Sequence, residues 1–366
     1  MARKRAVKVD KKARAKAQSC PENLRWVSVT DPRFTVRGLA WLKENGGRFC
    51  RLPLRAEGTV REIVWNLAQS PASVRLAFRS DATAMAVRVA REAPEHSSPE
   101  QAPSSGRSRP ALYCGLPGRM RPWATFVPDL TAPSSEHELF VGIPRKVREF
   151  RFYLPHEPGL VLELGVSKGA RLLAPSPPVL PKPVVIYGTS ITQGSCAWTA
   201  GTDYVSALGR MLNLDVVNLG FSGSGRGEAE VAELISEIDA ALYVLDYLAN
   251  VDPVELKPTL PRFIDILRAR RPDTPILLVT NVCFSQYDFY PPTRVVLEAR
   301  RDIMMENYIR HRKRGDRNIH LVDGFALIPF GTDSALVDGV HPTDHGFRLM
   351  ADRMAPVIEQ ILLLGT

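Results

Sequence analysis

The chain has 366 residues, of which 45% are hydrophobic and 24% are charged, as is usual for a globular protein. Single hydrophobic cores rarely grow to this length, so two domains are expected. The formal net charge is +9, but residues 1–20 contribute +7 of it, which leaves +2 for the rest of the chain. The body of the protein is therefore not predicted to bind nucleic acid.

Residues 1–22 are predicted to form a basic disordered tail. The segment has no aromatic residue and no apolar stripe with a helical period, which favours a solvated tail over an arm that docks on polyanions. No signal-peptide core follows it, and no apolar run is long enough to span a membrane. The five cysteines include no C-x-x-C pair, which argues against disulfides and against a zinc site. We therefore expect a cytoplasmic protein with reduced thiols, no metal and no membrane insertion.

Residues 23–172 are predicted to form an all-β sandwich. Alternating apolar residues predict strands at 73–80, 85–91, 149–155 and 160–166. Half-buried antiparallel strands need a second layer to cover their apolar face, which indicates two packed sheets. The stretch 92–110 is rich in Pro, Ser and Glu and is predicted to be a solvated loop.

A proline-rich linker at 173–183 separates this region from residues 184–366, where strands alternate with helices. Strands are predicted at 184–187, 215–219, 241–246, 275–281 and 318–323, with amphipathic helical segments between them. This alternation is typical of an α/β domain with a parallel sheet covered on both faces. Functional sites in such sheets lie at the carboxyl ends of the strands.

The first of these strands ends at Gly188 and is followed by Ser190. A serine becomes a nucleophile when a base takes its proton and a third group orients that base. His341 is the best candidate base, because Asp338 lies three residues before it and the two side chains can face each other in a short loop. Taken alone, Ser190 is more simply a helix N-cap. Together, at opposite ends of one α/β domain, the three residues favour a Ser-His-Asp triad.

The second strand is followed by a glycine-rich loop, in which backbone N–H groups can point into a site. It contains Gly220, Gly223, Gly225 and Gly227. These glycines predict an oxyanion hole. Phosphate binding is the weaker alternative, because neither G-x-x-x-x-G-K-[ST] nor G-x-G-x-x-G is present.

Three further residues are candidates for the same site, each with a structural alternative. Asn250, after the third strand, is a side-chain oxyanion donor or a turn former. Trp198 is a candidate for stacking on a sugar ring or for covering the core. Arg226 is a candidate substrate-binding residue whose role the sequence leaves undecided.

These motifs resemble those of the SGNH (GDSL-type) hydrolase superfamily. The segments "GTSITQG", "NLGFSG" and "DGVHP" resemble its first, second and last motifs, in the family's order. With "WNLAQSPASVRLAFRSDAT", they resemble a bacterial branch in which a jelly-roll-like β domain precedes the hydrolase. The resemblance implies a flavodoxin-like three-layer fold with Ser190 as nucleophile, His341 as base and Asp338 as acid. It also implies that Ser190, Gly223 and Asn250 form the oxyanion hole, and it implies no cofactor.

The sequence departs from the family pattern at three places. Thr189 replaces the Asp of Gly-Asp-Ser, which is not the acid of the triad. The third motif, usually Gly-x-Asn-Asp, reads "LDYLAN" here, and the β domain has "RPALYCG" where the branch has Gly-x-Asp-Leu-Tyr. The assignment of Asn250 therefore rests on position after the strand rather than on a motif match.

The resemblance implies a serine esterase that hydrolyses short-chain acyl esters, above all acetyl esters, of small molecules or carbohydrates. Several relatives with this layout are carbohydrate or acetyl esterases. The alternatives are a lysophospholipase or thioesterase for longer acyl chains, and a non-catalytic relative that binds glycans. The sequence leaves open whether the chain forms a homo-oligomer.

Overall fold

The computed structural model describes residues 23–91, 109–129, 132–332 and 334–364. The predicted basic tail and most of the predicted loop at 92–110 lie outside the described residues. Within the described ranges, no helix combines the length and the apolarity needed to cross a membrane. Nor do three or more His, Cys, Asp or Glu side chains in these ranges cluster as in a metal site.

The N-terminal domain is a sandwich of two antiparallel sheets, as predicted. Its described strands are β1 (Leu24–Ser28), β2 (Thr35–Arg37), β3 (Arg75–Ser80), β4 (Met85–Arg91), β5 (Ala111–Cys114), β6 (Arg121–Thr125), β7 (Ser134–Phe140), β8 (Arg148–Tyr153), β9 (Leu160–Ser167) and β10 (Leu172–Leu173). One sheet has the order β1-β9-β4-β7, and the other has the order β10-β3-β8-β5-β6 with β2 paired to β3. Val87 and Leu164 of the first sheet share one apolar core with Phe150 of the second.

The second domain is a three-layer α/β fold built on a parallel sheet. The strands are β11 (Val184–Gly188), β12 (Val216–Gly220), β13 (Leu242–Asp246), β14 (Ile276–Val279) and β15 (Ile319–Val322), in the flavodoxin-like order β12-β11-β13-β14-β15. Each strand begins and ends within two residues of its predicted bounds. Their apolar runs are buried on both faces, which explains why the sequence shows no alternation in them.

Helices cover both faces of this sheet. The first helix of the chain, α1 (Glu62–Ala68), belongs to the N-terminal region. The helices of the α/β domain are α2 (Ser190–Gln193), α3 (Tyr204–Met211), α4 (Ala229–Glu237), α5 (Pro253–Arg270), α6 (Pro291–Lys313), α7 (Gly324–Leu327) and α8 (Asp344–Leu364). Single turns of 3-10 helix lie at Leu54–Ala56, Leu248–Asn250 and Ser285–Tyr287. Since successive residues of a strand point to opposite faces, Val185 and Ile186 belong to different apolar cores.

Part of the N-terminal region packs against the α/β domain rather than inside the sandwich. Trp41, Leu52 and Val64, the last in the short helix α1 (Glu62–Ala68), share an apolar core with Val217 and Leu219 of β12. β12 is the edge strand of the parallel sheet, and this segment packs on the same face of the sheet as α4 and α5. Residues on the N-terminal side of the proline-rich linker at 173–183 thus contribute to the core of the α/β domain.

Arg51 is the polar centre of this contact. Its side chain is fully buried, and it has no acidic partner in the described part of the chain. The guanidinium donates to the carbonyl oxygens of Leu67 and Ser70 on its own segment and of Gly220 on β12, each at 2.7 Å. Burial lowers the pKa of Arg51 to about 10, which still leaves the side chain charged at neutral pH.

We predict that Arg51→Met lowers the free energy of unfolding by roughly 3 kcal/mol or more, because several buried carbonyls lose their donor. Denaturant unfolding of the full chain measures the change. The matched control is Arg48→Met, at an exposed position, which should change the free energy of unfolding by less than about 0.5 kcal/mol. Equal stabilities of the two variants would show that the buried guanidinium does not hold the domains together.

Candidate active site

Ser190, His341 and Asp338 form a continuous chain of hydrogen bonds. Ser190 begins α2 directly after β11, and the other two residues lie on the loop before α8. The Oγ of Ser190 lies 2.8 Å from Nε2 of His341, whose Nδ1 lies 2.7 Å from Oδ2 of Asp338. The fold thus brings together two parts of the chain that are 151 positions apart.

The carboxylate of Asp338 is oriented by its own loop. Its Oδ1 accepts hydrogen bonds from the backbone N–H groups of Val340, at 3.0 Å, and His341, at 2.8 Å. Burial by itself would raise the pKa of Asp338, but the hydrogen bonds from His341 and Val340 outweigh it and hold the pKa below its usual value. Asp338 is therefore ionised at neutral pH and is placed to accept the Nδ1 proton of the imidazole.

The turn that carries Ser190 is α2, Ser190–Gln193, which we call the serine turn. Thr189 is its N-cap and accepts the N–H of Ile191 at 3.2 Å, so the capping role goes to Thr189 and the hydroxyl of Ser190 is left to face His341. Gly194 ends the turn in the left-handed conformation, with φ of +82°. The local sequence therefore presents the serine side chain at the carboxyl end of the sheet.

In the first five residues of the loop after β12, the described structure leaves the backbone N–H of Gly223 without an acceptor. In residues 221–225, the N–H groups of the other four residues all donate to protein acceptors. That of Ser222, for example, donates to Oε1 of Gln193 at 2.9 Å. Among the residues that the structure describes, Gly223 N–H has no acceptor, and the residue is exposed with φ of +66°. Ser190 N–H, at the first position of a helix, likewise has no intrahelical acceptor.

The side-chain amide oxygen of Asn250 also lacks a hydrogen-bond partner among the described residues. The residue lies in the 3-10 turn after β13, and its Oδ1 is buried without a hydrogen bond to any described residue. The oxygen and nitrogen of an amide exchange places by a simple flip, so this side chain can present a donor. It has the chemistry that an oxyanion site requires.

Trp198 and Arg226 differ in their relation to the triad. The backbone N–H of Trp198 donates to Oδ1 of Asp344, three residues after His341, and its indole is 63% exposed. The guanidinium of Arg109, from the β domain, lies 4.5 Å from the centre of the indole. Arg226 is exposed, and among the described residues no contact joins its side chain to the triad.

Several residues that hold the site were not singled out by the sequence analysis. Asn218 of β12 donates to the backbone oxygen of Thr192 in the serine turn, at 2.7 Å, and to the hydroxyl of Ser73 at 2.9 Å. Gln193 joins the serine turn to the loop after β12. Gln193 lies inside the "GTSITQG" motif, directly before Gly194, and this position could have indicated a role in the site. No local sequence pattern indicates such a role for Ser73, which comes from the β domain.

Comparison with protein families matches both domains. The model of the GDSL-like lipase/acylhydrolase family matches residues 181–359. The model of the N-terminus of SGNH-hydrolase-type esterases matches residues 24–172. No curated protein matches the sequence.

Solved structures match over nearly the whole chain. A structure assigned as a GDSL-like lipase from Bacteroides ovatus is 26% identical with a TM-score of 0.81, over 93% of this chain and 98% of that one. A salicylyl-acyltransferase from a tetracycline biosynthetic pathway is 24% identical with a TM-score of 0.75, over 94% and 99%. A family two carbohydrate esterase from Cellvibrio japonicus shares the fold at 14% identity, with a TM-score of 0.59 over 93% and 98%.

The two family models follow each other along the chain in the order of the two domains of the fold. This chain belongs to the GDSL-like family of SGNH-type hydrolases, in the branch with an N-terminal β domain, and is an ester-hydrolysing enzyme.

Proposed function

We propose that the protein is a serine esterase that removes short acyl groups, above all acetyl, from small-molecule or carbohydrate esters. The observation that carries this proposal is the unbroken hydrogen-bond chain from the hydroxyl of Ser190 through His341 to Asp338. Carbohydrate esterases that share the fold, among them an acetyl xylan esterase, are the reason for taking acetylated sugars as candidate substrates.

In the first half of the reaction, Ser190 attacks the ester carbonyl. His341 Nε2 takes the hydroxyl proton as the Oγ–carbon bond forms, and Asp338 stabilises the resulting imidazolium through Nδ1. When the tetrahedral intermediate collapses, the bond to the alcohol oxygen breaks and His341 returns the proton to the leaving alcohol. The acyl group remains on Ser190 as an ester.

In the second half, water repeats these steps on the acyl-enzyme. His341 takes a proton from the attacking water, and the intermediate expels the oxygen of Ser190, which regains a proton from the imidazolium. The products are a carboxylic acid and the free serine. In both halves, the N–H groups of Ser190 and Gly223 and the amide of Asn250 bind the oxyanion. The two N–H groups have no other acceptor in the described structure, and the Oδ1 end of the Asn250 amide is buried without a partner there.

Replacing any member of the triad is expected to reduce kcat on p-nitrophenyl acetate by roughly ten-thousandfold or more, because the three groups act as a unit. The variants are Ser190→Ala, His341→Ala and Asp338→Asn. His345→Ala, at an exposed histidine four residues from His341, is the matched control and should keep wild-type turnover.

A fluorophosphonate should label the wild type but not Ser190→Ala. Full turnover by Ser190→Ala would refute the proposed function, and failure of the wild type to react with the fluorophosphonate would favour a non-catalytic relative.

Asn250→Ala is expected to lower kcat on the same ester by about a hundredfold with little change in KM, because an oxyanion donor acts mainly in the transition state. Steady-state kinetics measures both constants. The control is Asn66→Ala, an exposed asparagine on α1. Unchanged kcat in Asn250→Ala would leave Gly223 and Ser190 as the oxyanion donors and would remove Asn250 from the mechanism.

The longer-chain alternative has one observation in its favour. Exposed apolar side chains lie on loops beside the triad: Val337, directly before Asp338, is 61% exposed, and Trp198 is 63% exposed. Phe289 and Phe330 are exposed on the neighbouring loops, one of which contacts Gly339 through the N–H of Ser285. These side chains are open to solvent, whereas a specific acyl site encloses the chain.

We therefore expect kcat/KM to stay level or fall along a series of p-nitrophenyl esters from acetyl to dodecanoyl. Full burial of each methylene would contribute about 0.8 kcal/mol, or roughly a fourfold rise in kcat/KM per carbon. Trp198→Ala and Val337→Ser test whether the exposed apolar side chains contribute. A steady rise with chain length that these variants abolish would establish the longer-chain function instead.

A further inference from the structure

The carboxyl of Asp246 lies beside the serine turn and joins it to α3. Asp246 is the last residue of β13 and lies opposite Gly188, the last residue of β11. Its Oδ2 accepts hydrogen bonds from the hydroxyls of Tyr204, at 2.7 Å, and Thr192, at 3.1 Å. Thr192 lies two residues after Ser190, so one carboxyl oxygen links the sheet to the turn that carries the serine.

The serine turn needs such links because it has little stability of its own. A helix of four residues forms few internal hydrogen bonds, and helix nucleation is unfavourable. Toward β12, the turn is held by Asn218 and by the contact of Gln193 with Ser222. Toward β13, the polar contact is the hydroxyl of Thr192, which lies 3.1 Å from the carboxyl and 3.4 Å from the backbone oxygen of Asp246.

We propose that Asp246 is a positioning residue of the esterase. Its Oδ2, itself fixed by Tyr204, holds Thr192 and thereby keeps the hydroxyl of Ser190 within reach of His341. This inference rests on the proposed function, because it assigns Asp246 to the same reaction. Asp246 acts through Thr192 and takes no part in proton transfer.

The role depends on an acceptor oxygen and not on a negative charge. Burial raises the pKa of Asp246 to about 7, although the hydrogen bonds from Tyr204 and Thr192 lower it. Both of these partners are uncharged hydroxyls, from α3 and α2, and burial raises the pKa of Tyr204 well above its usual value. Because both donors use Oδ2, a carboxyl protonated on Oδ1 also accepts both bonds.

Three variants separate this role from others. Asp246→Ala removes the acceptor, Thr192→Val removes the hydroxyl while keeping the shape of the side chain, and Asp246→Asn keeps an acceptor oxygen. Hydrolysis of p-nitrophenyl acetate is measured per active site, with active enzyme counted by fluorophosphonate titration. Asp273→Ala, which removes an exposed carboxyl between α5 and β14, is the control and should keep wild-type turnover.

Asp246→Ala and Thr192→Val are each expected to lower kcat per active site by roughly 10- to 100-fold, because small misplacements of a nucleophile are costly. KM should stay within about twofold. The double variant should be no more than about threefold slower than the slower single variant, since both changes break the same link. Asp246→Asn should recover most of the loss and keep the shape of the wild-type pH profile.

Several outcomes would overturn the inference. Wild-type kcat in Asp246→Ala would do so while leaving the proposed function intact, whereas full turnover by Ser190→Ala would remove both. If Asp246→Asn is as slow as Asp246→Ala, the carboxyl acts through its charge. If only the titrated fraction of active enzyme falls while kcat per site is unchanged, Asp246 is merely structural.

Thermal unfolding between pH 4 and pH 9 tests how far the fold shields the carboxyl of Asp246 from solvent. The folded-state pKa of about 7 lies above the usual aspartate value near 4, so the folded protein binds this proton more tightly than the unfolded chain does. The stabilising effect of the proton is complete below pH 4 and is lost as the pH rises through 7. The wild type should therefore lose stability relative to Asp246→Asn over this range, and a pH-independent difference would show that the carboxyl is not shielded from solvent.

Discussion

The close approach of the serine turn to the strand ends is the constraint on which the site depends. A Cβ atom on Gly188 would lie 2.0 Å from Oγ1 of Thr192, and one on Gly220 would lie 2.2 Å from the backbone nitrogen of Gln193. A Cβ on Gly225 would lie 2.0 Å from the backbone oxygen of Gly188. Three glycines thus leave the space in which the serine turn rests on β11 and β12 and meets the loop that carries Gly223.

Hydrogen bonds from polar side chains hold the serine turn in the space that these glycines leave. Gln193 joins the serine turn to the loop after β12, and Asn218 joins it to Ser73 of the β domain. Arg51, also from the N-terminal region, donates to the carbonyl oxygen of Gly220, the last residue of β12 and the one directly before the same loop. The N-terminal region is therefore part of the support of the site, although it supplies no member of the triad.

The sequence predicted the sheet and the triad for different reasons. Each buried parallel strand is a short apolar run, and such runs are visible without knowledge of their neighbours. Ser190, Asp338 and His341 were predicted because their motifs follow one another along the chain in the order of the family that they resemble. Asp246 was visible as the end of β13, but its link to Thr192 was not, because a hydrogen bond between side chains 54 positions apart leaves no local pattern.

By itself, the sequence determined the two domain types and the order of strands and helices in the α/β domain, and it indicated Ser190, Asp338 and His341 as candidates for ester hydrolysis. Only the tertiary structure decided that the segment around Trp41 covers the α/β sheet, that Thr189 rather than Ser190 caps the serine turn, and that Gly223 holds the free N–H of its loop. The physical reason is the distance along the chain over which each kind of interaction acts. Backbone propensity and apolar periodicity act over a few residues. The choices above also depend on contacts such as that of Gln193 with Ser222, 29 positions apart, and that of Ser190 with His341, 151 positions apart, which exist only once the core has formed.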